Sequence, residues 1–104
     1  MSTSSSRAGT PREAVPSYQS AGTNVIKSSA GYFLGVCVYV DGTNDAVVEV
    51  YDHASAASGD PIFKARVDGG VGGFPPNPPL PVFCENGIVL KLTGTNAEAI
   101  VFYS

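Results

Sequence analysis

The stretch "YFLGVCVYVDGTNDAVVEVYD", residues 32–52, decides how the rest of the chain is read. Two apolar runs rich in Val, Tyr and Phe flank a cluster of Asp, Gly, Thr and Asn, the pattern of a strand, a turn and a second strand. In 32–40, Tyr32, Leu34, Val36, Val38 and Val40 share one face, and Phe33, Gly35, Cys37 and Tyr39 the other. Both faces are apolar, so this strand is either central and covered twice or covered on one side by a neighbouring subunit. Asp41 and Gly42 supply the positive φ of a tight hairpin. The run 46–52 then returns, with Val48 and Val50 on one side and Val47, Glu49 and Tyr51 on the other.

Working outward, the same texture recurs. "TNVIKS" (23–28) precedes the deciding stretch. "PIFKARV" (61–67) follows it, with Phe63, Ala65 and Val67 inward and Lys64 and Arg66 toward water, a one-sided antiparallel strand. Later come "PVFC" (81–84), "GIVLKLT" (87–93) and "EAIVFY" (98–103). The last two are joined by "GTNA", so Ile88, Leu90 and Leu92 are expected to meet Ile100 and Phe102. No stretch has a helical period. The expected fold class is all-β, an antiparallel β-sandwich of about seven strands, with jelly-roll and immunoglobulin-like strand orders both open.

One domain fits a chain of 104 residues. The first twenty, "MSTSSSRAGTPREAVPSYQS", are Ser-rich and offer only Val15 and Tyr18 as large apolar groups, so residues 1–20 read as an extended N-terminal arm. Residues 21–104 then form the sandwich, thin enough that partners burying further surface are expected. The arm carries Arg7 and Arg12 against Glu13, two charges that can steer it toward an acidic surface. The body carries Lys27, Lys64, Arg66 and Lys91 against eight acids, which leaves no basic face for phosphates and argues against nucleic-acid binding. The chain start lacks the apolar core of a signal peptide, and "YFLGVCVYV" is too short to cross a bilayer. Synthesis in a cytoplasm, with no membrane partner, is the expectation.

Residues that carry chemistry are sparse. The single histidine, His53, lies in the loop "HASAASGD" near Asp52, Ser55 and Ser58, which matches a Ser-His-Asp set in composition but not in any fixed geometry. No catalysis, cofactor or small-molecule substrate is expected. Cys37 and Cys84 have a spacing reminiscent of an immunoglobulin pair, yet there is no tryptophan and Val82 stands at the corner-tyrosine position, so two buried thiols are the simpler reading. "DGTND" lacks the ligand series of a calcium loop and reads as turn chemistry. "GGVGG" (69–73) lacks the lysine and the following helix of a phosphate loop.

The run "FPPNPPLPVF" (74–83) fits neither a helix nor a central strand. No basic residue lies beside its P-x-x-P spacings, as a signalling ligand would need. Its prolines pre-set an extended path that loses little entropy on docking. The segment 74–82 is therefore read as a stiff strap in which Phe74, Pro75, Pro76, Pro78, Pro79 and Leu80, with Phe83, press on an apolar surface, preferentially a neighbour's. With Arg7, Arg12, Val15 and Tyr18 of the arm, these are the expected partner-binding residues.

The order of motifs carries a resemblance. "AGYFLGVCVYV", then "VEVYDHASAASGDPIF", a glycine-rich turn, and finally "GIVLKLTGTNAEAIVFYS" resemble the small β-sandwich virion proteins of tailed bacteriophages, from Val25 to Tyr103. The arm and the proline run depart from that pattern. The resemblance implies a non-enzymatic structural role, most often as a capsid decoration (cement) protein on the outer surface of the virion. Its partners would be the major capsid protein and further copies of itself, commonly as a trimer. The alternatives are a neck, tail or head-fibre component, or a glycan-binding module whose aromatic platform would fall to Tyr18, Tyr51 or Tyr103.

Overall fold

In a computed structural model of the chain, the described residues are 14–70, 78 and 80–104, and every regular element among them is a β-strand. There are eight: β1 (Val15–Ser20), β2 (Gly22–Lys27), β3 (Gly31–Tyr39), β4 (Ala46–Tyr51), β5 (Phe63–Val67), β6 (Val82–Cys84), β7 (Ile88–Thr93) and β8 (Glu98–Tyr103). They form two four-stranded antiparallel sheets, in the orders β1-β8-β3-β6 and β2-β7-β4-β5. The inner faces of both sheets feed one apolar core, so the architecture is a β-sandwich.

The eighth strand comes from the segment expected to be an arm. Val15 to Ser20 pair in unbroken register with Tyr103 to Glu98, so the sandwich begins at residue 15, not 21. The physical reason is placement: Pro16 can sit in a strand at the edge of a sheet, where its missing N–H costs no ladder bond. Residues 1–13, with Arg7 and Arg12, lie outside the described residues, as do Phe74, Pro75, Pro76 and Pro79 of the expected strap. Pro78 is half-buried and Leu80 exposed.

Two expected hairpins are sheet-to-sheet crossings. β3 lies in the first sheet and β4 in the second, although the Asp41–Asp45 turn between them has Gly42 at φ 92°. β7 and β8 likewise lie in different sheets. Their side chains obey this: Ala99 and Val101 point to the core, while Ile100 and Phe102 point away from it, instead of meeting Ile88, Leu90 and Leu92 across a hairpin.

The deciding stretch also departs from strict alternation. Phe33 pairs with Tyr103, but Gly35, two residues on, pairs with Phe102. Leu34 is the extra residue of a β-bulge, which resets the side-chain parity. Phe33 therefore joins Val36 and Val38 on the core face, where simple alternation put it opposite them. Its ring lies 5.5 Å from that of Phe63 in the other sheet. With Ile88, Leu90 and Leu92 it forms the largest buried group, and each such side chain contributes about 1.5–3 kcal/mol by leaving water. The lone-sided reading of β5 holds: Val67 is buried and Lys64 and Arg66 are exposed.

Candidate functional site

The two outer faces of the sandwich differ in kind. On the second sheet, register places Lys91, Glu49 and Lys64 in one row, and Lys64 Nζ lies 3.5 Å from the Glu49 carboxylate. The next row holds Thr93, Val47 and Arg66. This is a solvated face with charges of both signs.

The first sheet has almost none. Its central outward row is Tyr18, Ile100 and Cys37, and the adjacent row is Pro16, Phe102 and Gly35. A third row, Ser20, Glu98 and Tyr39, carries the only charge of the three. At the far edge the rings of Tyr32 and Phe83 meet with centroids 5.2 Å apart. Tyr18 is 58% exposed, Phe83 54% and Tyr39 44%, so large aromatic area is left to solvent on this face. The Tyr18 hydroxyl donates to the Glu98 carboxylate, and that bond, with partial desolvation and the negative charge, holds the phenol above its ordinary pKa. Beside Glu98 a shallow recess of about 340 Å³ is lined by Ser20, Ala21, Asn96, Ala97 and Glu98.

Most of the acidic groups at the loops are spent on holding those loops. Strands that cross between sheets need loops, and loops leave backbone N–H groups to satisfy. The Asp41 carboxylate accepts the N–H of Asn44 (2.8 Å) and of Thr43 (2.9 Å), and the side-chain amides of Asn44 (2.7 Å) and Asn96 (3.1 Å). These donors, the Asn44 N–H foremost, hold its pKa far below the usual carboxylate range. Asp45 binds the Arg66 guanidinium and the Gly69 N–H, and both lower its pKa, Arg66 more. Asp52 accepts the N–H of Asn86 (2.8 Å) and of Glu85 (3.1 Å), again with a lowered pKa led by Asn86. His53 closes its own loop: Nδ1 accepts the N–H of Ser55 and of Ala56 at 3.1 and 3.0 Å. A ring nitrogen used that way is not positioned as a base for Ser55.

Among the described residues, the expected partner residues fall on two opposite edges. Val15 (45% exposed) and Tyr18 lie on β1; Leu80 (74% exposed) lies just before β6. The face between those edges joins them, through Ile100, Phe102, Cys37 and Tyr39, none of which stood among the expected partner residues. The two-sided apolarity of 32–40 marks Cys37 and Tyr39, while Ile100 and Phe102 carry no such signal until β8 is placed. Of the aromatic platforms considered, Tyr18 is open, Tyr51 is buried and Tyr103 is half-buried. Cys84 is buried in the core and Cys37 lies on the outward face of the same sheet, so the two free thiols are separated by that sheet. Burial, with the charge of Asp52 adding, pushes the Cys84 thiol up to about 11.

Comparison of the chain with protein-family models, with curated proteins and with solved structures found no match.

Proposed function

We propose that this chain is a non-enzymatic structural protein of a virion, a capsid decoration protein that binds the major capsid protein and joins neighbouring subunits on the outer surface of the shell. The observation that carries the reading is the division of chemistry over the surface. Asp41, Asp45, Asp52 and the histidine are engaged in closing loops, while most of the exposed large apolar side chains lie on one sheet face, whose two central rows carry no charge, and on its edges. A surface so arranged suits contact with protein, because exposed contiguous apolar area is otherwise a liability. The motif order of residues 25–103 supplies the virion context. The strand orders β1-β8-β3-β6 and β2-β7-β4-β5 are read as a jelly roll, an architecture that occurs in viral capsid and lectin domains, and fold alone does not choose between them.

The test is co-sedimentation of the purified full chain with purified shells of the virus that encodes it. Saturable binding supports the proposal; no binding to expanded, mature or precursor shells overturns it. A second reading, binding of host glycans, is favoured by one feature: Tyr18 stands exposed beside Glu98 and the polar recess formed with Ser20 and Asn96. Strong, Tyr18-dependent signals on a glycan array, with no shell binding, would favour that reading instead.

A further inference from the structure

We propose that Asn86–Gly87 is a self-modification site, at which the Asn86 side chain converts to an aspartyl or isoaspartyl carboxylate at a rate set by opening of the Asp52 clamp. The chemistry needs no partner and does not depend on a role in a virion.

In an asparagine pair of this kind the backbone nitrogen of the following residue attacks the side-chain carbonyl carbon, and a side chain on that residue obstructs the approach. Asn24, Asn44 and Asn96 precede Val25, Asp45 and Ala97, and Asn77 precedes Pro78, which has no N–H to give up. Asn86 alone precedes a glycine. The bond from the Gly87 nitrogen to Cγ of Asn86 forms, the Cγ–Nδ2 bond breaks, and the Gly87 amide proton leaves with the side-chain nitrogen as ammonia. Water then opens the five-membered imide. Cleavage at Cγ gives an aspartyl residue, and cleavage at the main-chain carbonyl gives an isoaspartyl one. Nothing is oxidised or reduced, and water is the sole co-reactant. Asn86 is exposed, so water reaches it.

The fold fixes the glycine and holds it still. Gly87 is buried at φ 152°, and a Cβ there would stand 2.6 Å from the Lys27 carbonyl oxygen and 2.7 Å from that of His53. Only glycine fits this wedge. On the other side, the Asp52 carboxylate holds the Asn86 N–H at 2.8 Å and the Glu85 N–H at 3.1 Å. The Gly87 N–H and the Asn86 side-chain amide also help to lower the Asp52 pKa, so both reacting groups lie near that carboxylate. Ring closure requires rotation of the Asn86 main chain, which these contacts oppose, so reaction waits for local opening. The product does not restore the clamp. A carboxylate at position 86 repels Asp52, and an isoaspartyl linkage adds a methylene to the main chain where Gly87 has no room to shift. Conversion is a one-way loosening of the tie between β4 and β7.

Peptide mapping by chromatography and mass spectrometry, which separates the asparaginyl, aspartyl and isoaspartyl forms of position 86, tests this on the full chain held in mildly alkaline buffer. Product is expected to form at position 86 ahead of every other asparagine. Conversion should run roughly tenfold or more slower in the folded chain than in unfolding urea, and roughly fivefold or more faster in Asp52→Ala than in the folded parent, because the open population rises. Asn86→Gln removes the product, since glutamine would have to close a larger ring, and Ser55→Ala, in the neighbouring loop, leaves the rate unchanged. The comparison of folded chain with urea needs no variant and decides the matter should Asp52→Ala fail to melt cooperatively. Converted chain, separated by anion exchange, should melt below the parent. Absence of product at position 86 in urea, equal rates in folded and unfolded chain, a folded Asp52→Ala that converts no faster than the parent, or a converted chain that melts with the parent overturns the proposal.

Discussion

Asp52 and Asn86, 34 positions apart in the chain, are joined by a 2.8 Å hydrogen bond from the Asn86 N–H to the Asp52 carboxylate. The contact ties the loop after β4 to the loop before β7 and is one of three carboxylate clamps, with Asp41 and Asp45, that fasten crossings between the sheets. A clamp of this kind makes stability depend on pH. The folded pKa of each carboxylate lies below its unfolded value near 3.9, so the stabilisation is complete above that value and is lost as pH falls through the folded pKa.

Thermal melting from pH 7 to pH 2 should therefore show a flat upper region and a decline beginning near pH 4. Asp52→Asn should be less stable at pH 7 and should show a shallower decline. Replacing Asp52 by Ala leaves two backbone donors to water and costs roughly 1–2 kcal/mol, allowing for its partial exposure. Equal acid slopes in the parent and Asp52→Asn would remove this explanation.

Truncation separates the arm from the strand. Removing residues 1–13 should leave the melting temperature within about 2 °C, because the β1 ladder is intact. Removing residues 1–20 deletes the partner of β8 and uncovers its edge; a loss of about 2–3 kcal/mol corresponds to a fall of 10 °C or more for a chain of this size. Differential scanning calorimetry of both truncations checks this, and equal melting temperatures would contradict the assignment of Val15–Ser20 as structural.

The bulge in β3 predicts which side chain of the apolar stretch matters most. Phe33→Ala should cost about 3–5 kcal/mol and lower the urea midpoint by more than 1 M, since it empties a site with no exposure that bridges to Phe63. Tyr39→Ala, on the outward face, should change stability by less than about 1 kcal/mol. Reversed sensitivities would mean that the strand keeps simple alternation.

The two thiols should behave differently. Cys84, with its pKa raised to about 11 and no exposure, should resist a thiol reagent at pH 8 until the chain unfolds. Cys84 labelling in native buffer at the rate seen in denaturant would show that the core around it opens easily.

Much of this architecture is legible in the residues themselves. Strand positions follow from apolar runs bounded by Gly, Asn and Asp, and the facing of Lys64 and Arg66 follows from alternation. What alternation cannot convey is pairing. Gly42 and Gly94 bend the chain equally well into a hairpin or across the sandwich, and the outcome depends on which distant strand completes the sheet. The parity change at Leu34 arises from the competition between Phe33 and Val36 for the same core, which no local pattern states. β1 escaped detection because Pro16 and three polar residues describe an edge strand as well as they describe an arm. The outward face was partly legible: 32–40 is apolar on both sides, but Ile100 and Phe102 look like core residues until β8 is placed.

The central claim, that this chain is a repeated structural component of a virion, is tested most directly by its copy number. On the proposed reading, quantitative mass spectrometry of purified virions from cells that make the chain should find it at a small-integer ratio to the major capsid protein. Its absence from the particle, or its presence in only a few copies per particle, would contradict the account.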